Sequence, residues 1–180
     1  VRELFPAATI LRPSLVFGPE DNFFNRFASM ARFSPFLPLI GGGKTRFQPV
    51  YAGDVADAVV RSLTRRDCSG RTFELGGPKA YSFEELMRLT LETIGRRRFL
   101  VPLPWGLALF LGAIFEKLPG APLTRDQVKQ LRQDHLPSGD FPGLEDLGIQ
   151  PQTVEVTIPT YLDRYRRSGR AAGHLSPRTS

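Results

Sequence analysis

The order of elements along the chain predicts an α/β fold with an incomplete sheet. Three observations carry this reading. Residues 8–11 and 72–75 are short runs of β-formers, and 55–63 and 83–94 carry apolar residues at helical spacing. The elements run strand, helix, extended pair, helix, strand, helix, and then a series of helical pieces. Three or four strands in 180 residues make only part of a sheet. No internal repeat is visible.

Residues 8–17, ATILRPSLVF, begin as a buried strand built on Thr9, Ile10 and Leu11. Pro13 limits the pairing that follows. Residues 18–21 read as a turn. Asn22 is expected to cap a helix bearing Phe23, Phe24, Phe27, Met30 and Ala31, which Pro35 and Pro38 should end. Residues 39–51 read as two short extended segments around the turn Gly41-Gly42-Gly43-Lys44. Asp54 is expected to cap a helix reaching Leu63, with Asp57 in its first turn and one apolar face of Val55, Ala58, Val59 and Leu63.

Thr72 to Leu75 reads as a strand ending at Gly76-Gly77-Pro78. Ser82 and Glu85 form a capping box for a helix with Phe83, Leu86, Leu89, Thr90 and Ile94, which Gly95 stops. Arg96, Arg97 and Arg98 follow, where the helix dipole favours cations. Residues 99–115 carry no charge. Pro102 and Pro104 confine the helical part to 104–118, about 22 Å, which is short of a membrane crossing. Two readings stay open for it: a protein-packed helix, or a helix that touches a membrane or a partner subunit. A second capping box, Thr124 with Gln127, should open a short helix with Val128 and Leu131. Residues 140–148 read as a small helical turn, and a last helix is expected to start around Pro159, Tyr161 and Leu162.

Composition excludes several classes. Apolar residues are 41% and charged residues 23%, ordinary for a globular protein and too apolar for a disordered one. Cys68 is the only cysteine, so a disulfide framework and a cysteine-ligated metal are excluded, and with two histidines a His-rich metal site is not expected. The net charge of +6 permits an anionic partner without choosing one. Five arginines fall within 164–180 with no acid after Asp163, a basic tail that is either solvated or an electrostatic contact. Nucleic-acid binding is not expected, because most of the 14 Phe sit in apolar helix faces or strands. The chain opens in mid-pattern at Val1, which is expected of a fragment.

Motifs for chemistry are sparse. No G-x-G-x-x-G or G-x-x-G-x-x-G is present. Gly41 to Thr45 lacks the spacing of a phosphate loop and is followed by an extended segment, so it reads as a structural turn. Ser14 or Ser34 with His135 lacks a nucleophile elbow. Asp54 and Asp57 read as helix-terminus residues. The informative segment is Leu11-Arg12-Pro13-Ser14-Leu15-Val16-Phe17-Gly18-Pro19. A strand that stops there leaves its C-terminal end towards the ligand crevice of an open α/β sheet, or forms a simple edge turn.

RPSLVFGPEDNFFNRFA, PLIGGGKTRFQPVYAGDVADAV and FELGGPKAYSFEEL, in that order and spacing, resemble the second half of an extended or atypical short-chain dehydrogenase/reductase. The wording is most similar to the group of the NAD(P)H-binding accessory subunit of respiratory complex I, and the resemblance covers about residues 1–165. It implies the C-terminal part of an NAD(P)-binding Rossmann fold with a small, mostly helical C-terminal lobe. Residues 1–75 would be the rear half of the Rossmann domain, 76–165 a substrate or docking lobe, and 166–180 a basic tail. Pro13, Ser14 and Leu15 would lie beside the nicotinamide of NAD or NADP. Phe17, Gly18 and Arg46 would line the way to the substrate. Catalytic and metal-ligating residues are not expected here, because the glycine fingerprint and the Y-x-x-x-K pair would lie upstream of Val1. Without the Tyr and the Lys that lowers its pKa, this chain alone is not expected to transfer hydride. Thr45 stands where sugar-nucleotide epimerases of the superfamily tend to place a phosphate-binding Arg, and the neighbouring Arg46 would point to the other face of a strand.

Two functions follow from the resemblance. One is a mainly non-catalytic, dinucleotide-binding accessory or assembly component of a membrane-bound respiratory complex. It would be cytoplasmic or peripheral at the inner face of the inner membrane, on the matrix side in a eukaryote. The other is an active NAD(P)-dependent oxidoreductase or epimerase/dehydratase whose Tyr/Lys pair lies upstream. An isolated half-sheet would leave an unpaired edge, so the chain alone is expected to be poorly soluble or molten.

Overall fold

The structure is a computed structural model in which residues 3–115 and 125–166 are described. Its elements are β1 (Ile10–Pro13), β2 (Val16–Phe17), α1 (Phe24–Phe33), β3 (Phe36–Ile40), β4 (Arg46–Phe47), β5 (Val50–Tyr51) and α2 (Ala52–Thr64). They are followed by β6 (Thr72–Leu75), β7 (Tyr81–Ser82), α3 (Phe83–Thr93), β8 (Phe99–Leu103), α4 (Trp105–Phe115), α5 (Arg125–Gln130) and α6 (Val154–Leu162).

The strands form four two-stranded ladders. Three are parallel: β1 with β6, β2 with β5, and β3 with β8. The fourth, β4 with β7, is antiparallel. The β3–β8 and β4–β7 ladders therefore join residues on either side of position 75. Packing crosses the same position in both cores. One core gathers Phe24 and Ala28 of α1, Leu37 and Ile40 of β3, Phe83, Leu86 and Met87 of α3, and Ile158 and Leu162 of α6. A smaller core holds Val50, Ala58, Phe73 and Leu75 against Leu144, Leu147 and Ile149.

Several local expectations change. The start of α1 is satisfied by Asp21, not Asn22: its Oδ1 accepts from the backbone N–H groups of Phe24 at 2.6 Å and Asn25 at 3.3 Å. The helix ends at Phe33 ahead of Pro35. Pro38 lies inside β3, which among the described residues pairs only with β8, so its missing N–H is tolerated. Residues 39–40 and 46–47 are extended, as their sequence predicts, but β3 starts earlier, at Phe36, and each segment pairs with a different strand. Helix α2 begins two residues ahead of Asp54, because β5 runs straight into it. Asp54 instead sits in the first turn and accepts from the Gln152 N–H at 2.8 Å. Of its predicted apolar face, Ala58 is buried, whereas Val59 is 43% and Leu63 is 81% exposed.

The uncharged run divides. Residues 99–103 form β8, because Pro102 and Pro104 bar a helix before Trp105. The expected residues 116–118 of α4 and the cap at Thr124 lie outside the described residues. No helix among the described residues is long and apolar enough to cross a membrane. The turn expected over 140–148 contracts to a 3-10 turn at Glu145–Leu147, closed by Gly148 at φ +73°. Helix α6 starts at Val154 and carries Pro159 within it, earlier than the sequence pattern suggests.

The predicted capping box is present: the Ser82 hydroxyl accepts from the Glu85 N–H, and the Glu85 carboxylate accepts from the Ser82 N–H at 2.6 Å. Helix α3 ends in a Schellman arrangement, with Gly95 at φ +63° and the Arg96 N–H donating to the Leu91 carbonyl at 2.9 Å. Arg98 Nε reaches across to the Ala31 carbonyl in the last turn of α1 at 2.8 Å. At the tail, Arg166 pairs with Asp163 and donates to the Thr93 carbonyl. Residues 167–180 lie outside the described residues.

Candidate functional site

The sequence Pro13-Ser14-Leu15 ends β1 and turns the chain into β2. Proline can accept but not donate along the ladder, so pairing to β6 finishes there. The Ser14 N–H still donates to the Leu75 carbonyl at 3.0 Å. Its hydroxyl donates to the His135 carbonyl at 2.5 Å and accepts from the Gln48 N–H at 3.3 Å. Gln48 Nε2 donates to the Gly77 carbonyl at 2.7 Å. The ends of β1 and β6, the β4–β5 connection and the loop at His135 are thus held together by one polar network. Gly77 is required there: a Cβ at that position would lie 1.9 Å from the Pro49 carbonyl oxygen.

The His135 ring is stacked on Phe47, with centroids 5.3 Å apart and planes 6° from parallel. Its Nε2 lies 2.9 Å from the Gln130 carbonyl, which can only accept, so that nitrogen carries the proton. Ser14 therefore meets the backbone of His135 and not its ring, and no hydrolase-type pair is formed.

Beside this network lies a cavity of about 970 Å³. Of the residues expected at the cofactor and substrate, Ser14, Leu15, Phe17 and Gly18 line it. Pro13 stops short of it, paired opposite Leu75 in the β1–β6 ladder. Arg46 is exposed on β4, bound through its backbone to Asp134 and His135. Thr45, by contrast, is buried, and its hydroxyl donates to the Leu131 carbonyl. The opposite facing of these two neighbours is what strand alternation requires.

Sequence reasoning missed the far wall. Phe23 just ahead of α1 and Phe27 and Met30 within it line the cavity, with Leu111 from α4 and Leu131 beyond α5. The helical spacing of the first three was visible, but it reads equally as core. Phe23 lies edge-on to Phe24 and Phe27 at 5.1 and 5.2 Å, which fixes the wall's shape.

Glu20 and Asp21 both line the cavity, and Asp21 is engaged through both of its oxygens. Oδ1 accepts from the α1 backbone, and Oδ2 accepts from the Tyr161 hydroxyl at 2.7 Å and the Gly18 N–H at 3.4 Å. Burial, and then the hydrogen bond to Asp21, raise the Tyr161 phenol far above the ordinary tyrosine value. Tyr81, which donates to Glu155 at 2.7 Å, is raised for the same two reasons.

No protein-family model matches the chain. Among curated proteins it is 38% identical over 168 residues to NADH dehydrogenase (ubiquinone) 1 alpha subcomplex subunit 9, mitochondrial, of Mus musculus, covering 92% of this chain and 44% of that protein. The Arabidopsis thaliana protein of the same name is 36% identical over 180 residues, covering 94% and 44%. A 2-alkyl-3-oxoalkanoate reductase of Stenotrophomonas maltophilia is 29% identical over 177 residues, covering 92% and 52%. The chain thus spans about half the length of the curated relatives it matches.

Among solved structures, the UDP-glucose 4-epimerase of Thermus thermophilus in complex with NAD superposes with a TM-score of 0.61 at 19% identity, covering 88% of this chain and 46% of that one. The dTDP-glucose 4,6-dehydratase DesIV of Streptomyces venezuelae, with NAD and TYD bound, gives 0.60 at 18%, covering 87% and 42%. At these identities the structures show the fold. By sequence the chain belongs with the accessory subunit of respiratory complex I, over about half of that protein's length, and its fold is that of the NAD-binding epimerases and dehydratases.

Proposed function

We propose that the chain is the substrate-side portion of a dinucleotide-binding accessory component of a membrane-bound respiratory complex, one in which the cofactor is held and not turned over. The observation that carries this is the identity of 36–38% with two mitochondrial complex I subunits over more than nine-tenths of the chain. The geometry supports it. Ser14 and Leu15 bring the C-terminal end of β1 to the cavity, the place where a doubly wound sheet presents a nicotinamide. Pro13 would set that end of the strand, and Phe17 and Gly18 would continue the wall towards a substrate. Arg46 would contact a substrate only through a change of its exposed position on β4. A preceding segment with a glycine fingerprint would hold the pyrophosphate of NAD or NADP at a helix N-terminus. Among the described residues lining the cavity there is neither Tyr nor Lys, so a Tyr/Lys pair would also come from that segment.

A second reading, an active reductase, is favoured by the likeness to the Stenotrophomonas enzyme. One experiment separates the two. The full-length protein, expressed in its own organism with an affinity tag, is followed on native gels and assayed for NAD(P)H oxidation. Co-migration with the respiratory complex and absence of turnover support the accessory role. Migration as a separate species with steady turnover on a keto substrate supports the reductase.

A further inference from the structure

The chemistry of the cavity wall identifies a class of occupant. Phe23, Phe27, Met30, Ile40, Leu103 and Leu111 surround it from α1 and the residue just ahead of it, β3, β8 and α4. Glu20, Asn22, Arg26 and Gln130 also line it, while the polar groups at Ser14, Asp21 and His135 are committed within the protein. The Ser14 hydroxyl is given to the His135 carbonyl, both Asp21 oxygens accept protein donors, and His135 Nε2 is bound to the Gln130 carbonyl. A sugar nucleotide needs several free donors and acceptors to replace its lost hydration, and a site that leaves them unmatched rejects it. A hydrocarbon chain needs none, and 970 Å³ lies at the roomy end of the range for small-molecule sites.

The route into the cavity has the same character. Helix α4 supplies Leu111 to the cavity and Ala108 to the core, while Leu107, Phe110 and Ile114 stand exposed on the stripe adjoining Leu111. The helix carries no charged residue, so a chain passing over it crosses no ionic rim. We infer that the cavity binds the hydrocarbon tail of an acyl ligand, lying on α4 and between α1 and β8, with its head group towards Ser14 and Gly18. This rests on the proposed function, in which the cavity is the substrate side of a dinucleotide site.

Trp105, the only tryptophan of the chain, lies six residues before Leu111 on the same helix, about 9 Å along its axis. It reports on the cavity. The delipidated full-length protein is titrated with a dibrominated stearate below its micelle concentration, and separately with vesicles of brominated phosphatidylcholine. The quenching is assigned to this residue with Trp105→Phe. Saturable quenching by the free acid assigns a free acyl ligand, and quenching by vesicles alone assigns a bilayer lipid. In either case Leu111→Arg is expected to weaken it more than tenfold, roughly, by placing a charge in the apolar wall. Leu111→Met should leave it within about twofold. For saturated acids competing with the probe, affinity should rise about fourfold per added methylene.

Quenching that Leu111→Arg leaves unchanged, a flat chain-length series, or displacement of the probe by UDP-glucose at equal concentration overturns the inference. Should Leu111→Arg fail to fold, the chain-length series on the unmodified protein decides alone. NADPH is titrated in parallel: loss of NADPH binding with acyl binding intact counts against the proposed function and not against the cavity's ligand class.

Discussion

The Tyr161 hydroxyl donates to Asp21 Oδ2 at 2.7 Å, joining residues 140 positions apart in the chain. The contact ties α6 to the turn that starts α1, because the same carboxylate holds the Phe24 and Gly18 N–H groups. The far wall of the cavity therefore depends on a residue close to the end of the described chain. Tyr161→Phe should destabilise the protein by about 1.5–3 kcal/mol, the range for a hydrogen bond to a charged partner. A double-mutant cycle with Asp21→Asn, read by urea denaturation, should show strong coupling. Additive effects would mean that the two groups act independently.

Ser82 and Glu85 make a second, local prediction. Ser82→Ala should cost about 1 kcal/mol, typical of a lost helix cap. The backbone N–H and then the hydroxyl of Ser82 hold the Glu85 carboxyl below its usual value. Its folded pKa is lowered, so its contribution is present above the ordinary Glu range and lost as pH falls through the lowered value. Ser82→Ala removes the hydroxyl and keeps the backbone N–H, so it should weaken that acid-side dependence only in part, measured by thermal melts across the acidic range.

Asp54 carries the opposite sign. Burial raises its carboxyl above the usual value, the Gln152 N–H opposes this, and Asp57 adds to it. A raised folded pKa favours the folded state while the group is protonated. That contribution is complete below the ordinary Asp range and is lost as pH rises through the raised value. Asp54→Asn keeps an acceptor for Gln152 and removes the charge. It should leave stability at neutral pH unchanged or slightly increased and should remove this pH dependence. A large loss at neutral pH would show that the charge itself is needed at the start of α2.

Gly41 and Gly42 separate strain from crowding. Both have positive φ, +61° and +72°. A Cβ on Gly41 would lie 2.0 Å from the Trp105 ring, whereas Gly42 has nothing within 4 Å. Gly42→Ala should cost about 1–2 kcal/mol from backbone conformation alone. Gly41→Ala should cost about 2–4 kcal/mol, because crowding adds to it. It should also shift Trp105 emission, which Gly42→Ala should not.

Much of the fold is legible in local sequence signals. The strand at Thr72–Leu75, the Ser82–Glu85 cap, the stop at Gly95 and the extended nature of residues 39–40 and 46–47 follow from spacing and turn chemistry. What local signals do not carry is pairing. That β3 joins β8 across 63 residues of sequence is set by tertiary packing, and with it the strand character of residues 99–103. The helix starts are misread where a distant group intervenes. Asp54 looks like a cap, but its partner is Gln152. Ser14, Leu15, Phe17 and Gly18, which the family pattern around Arg-Pro-Ser singles out, do line the cavity. Phe23, Phe27, Met30 and Leu111 are not legible as its wall, because an apolar helix face has one signature whether it packs against protein or walls a cavity.

The most direct measurement is equilibrium binding of NADH and NADPH to the full-length protein, followed by energy transfer from protein tryptophan to the reduced nicotinamide. The account predicts one dinucleotide bound per chain, protected from turnover, with Ser14→Trp weakening it by obstructing the end of β1. Absence of binding by either dinucleotide would contradict the assignment of this cavity to the substrate side of a cofactor site.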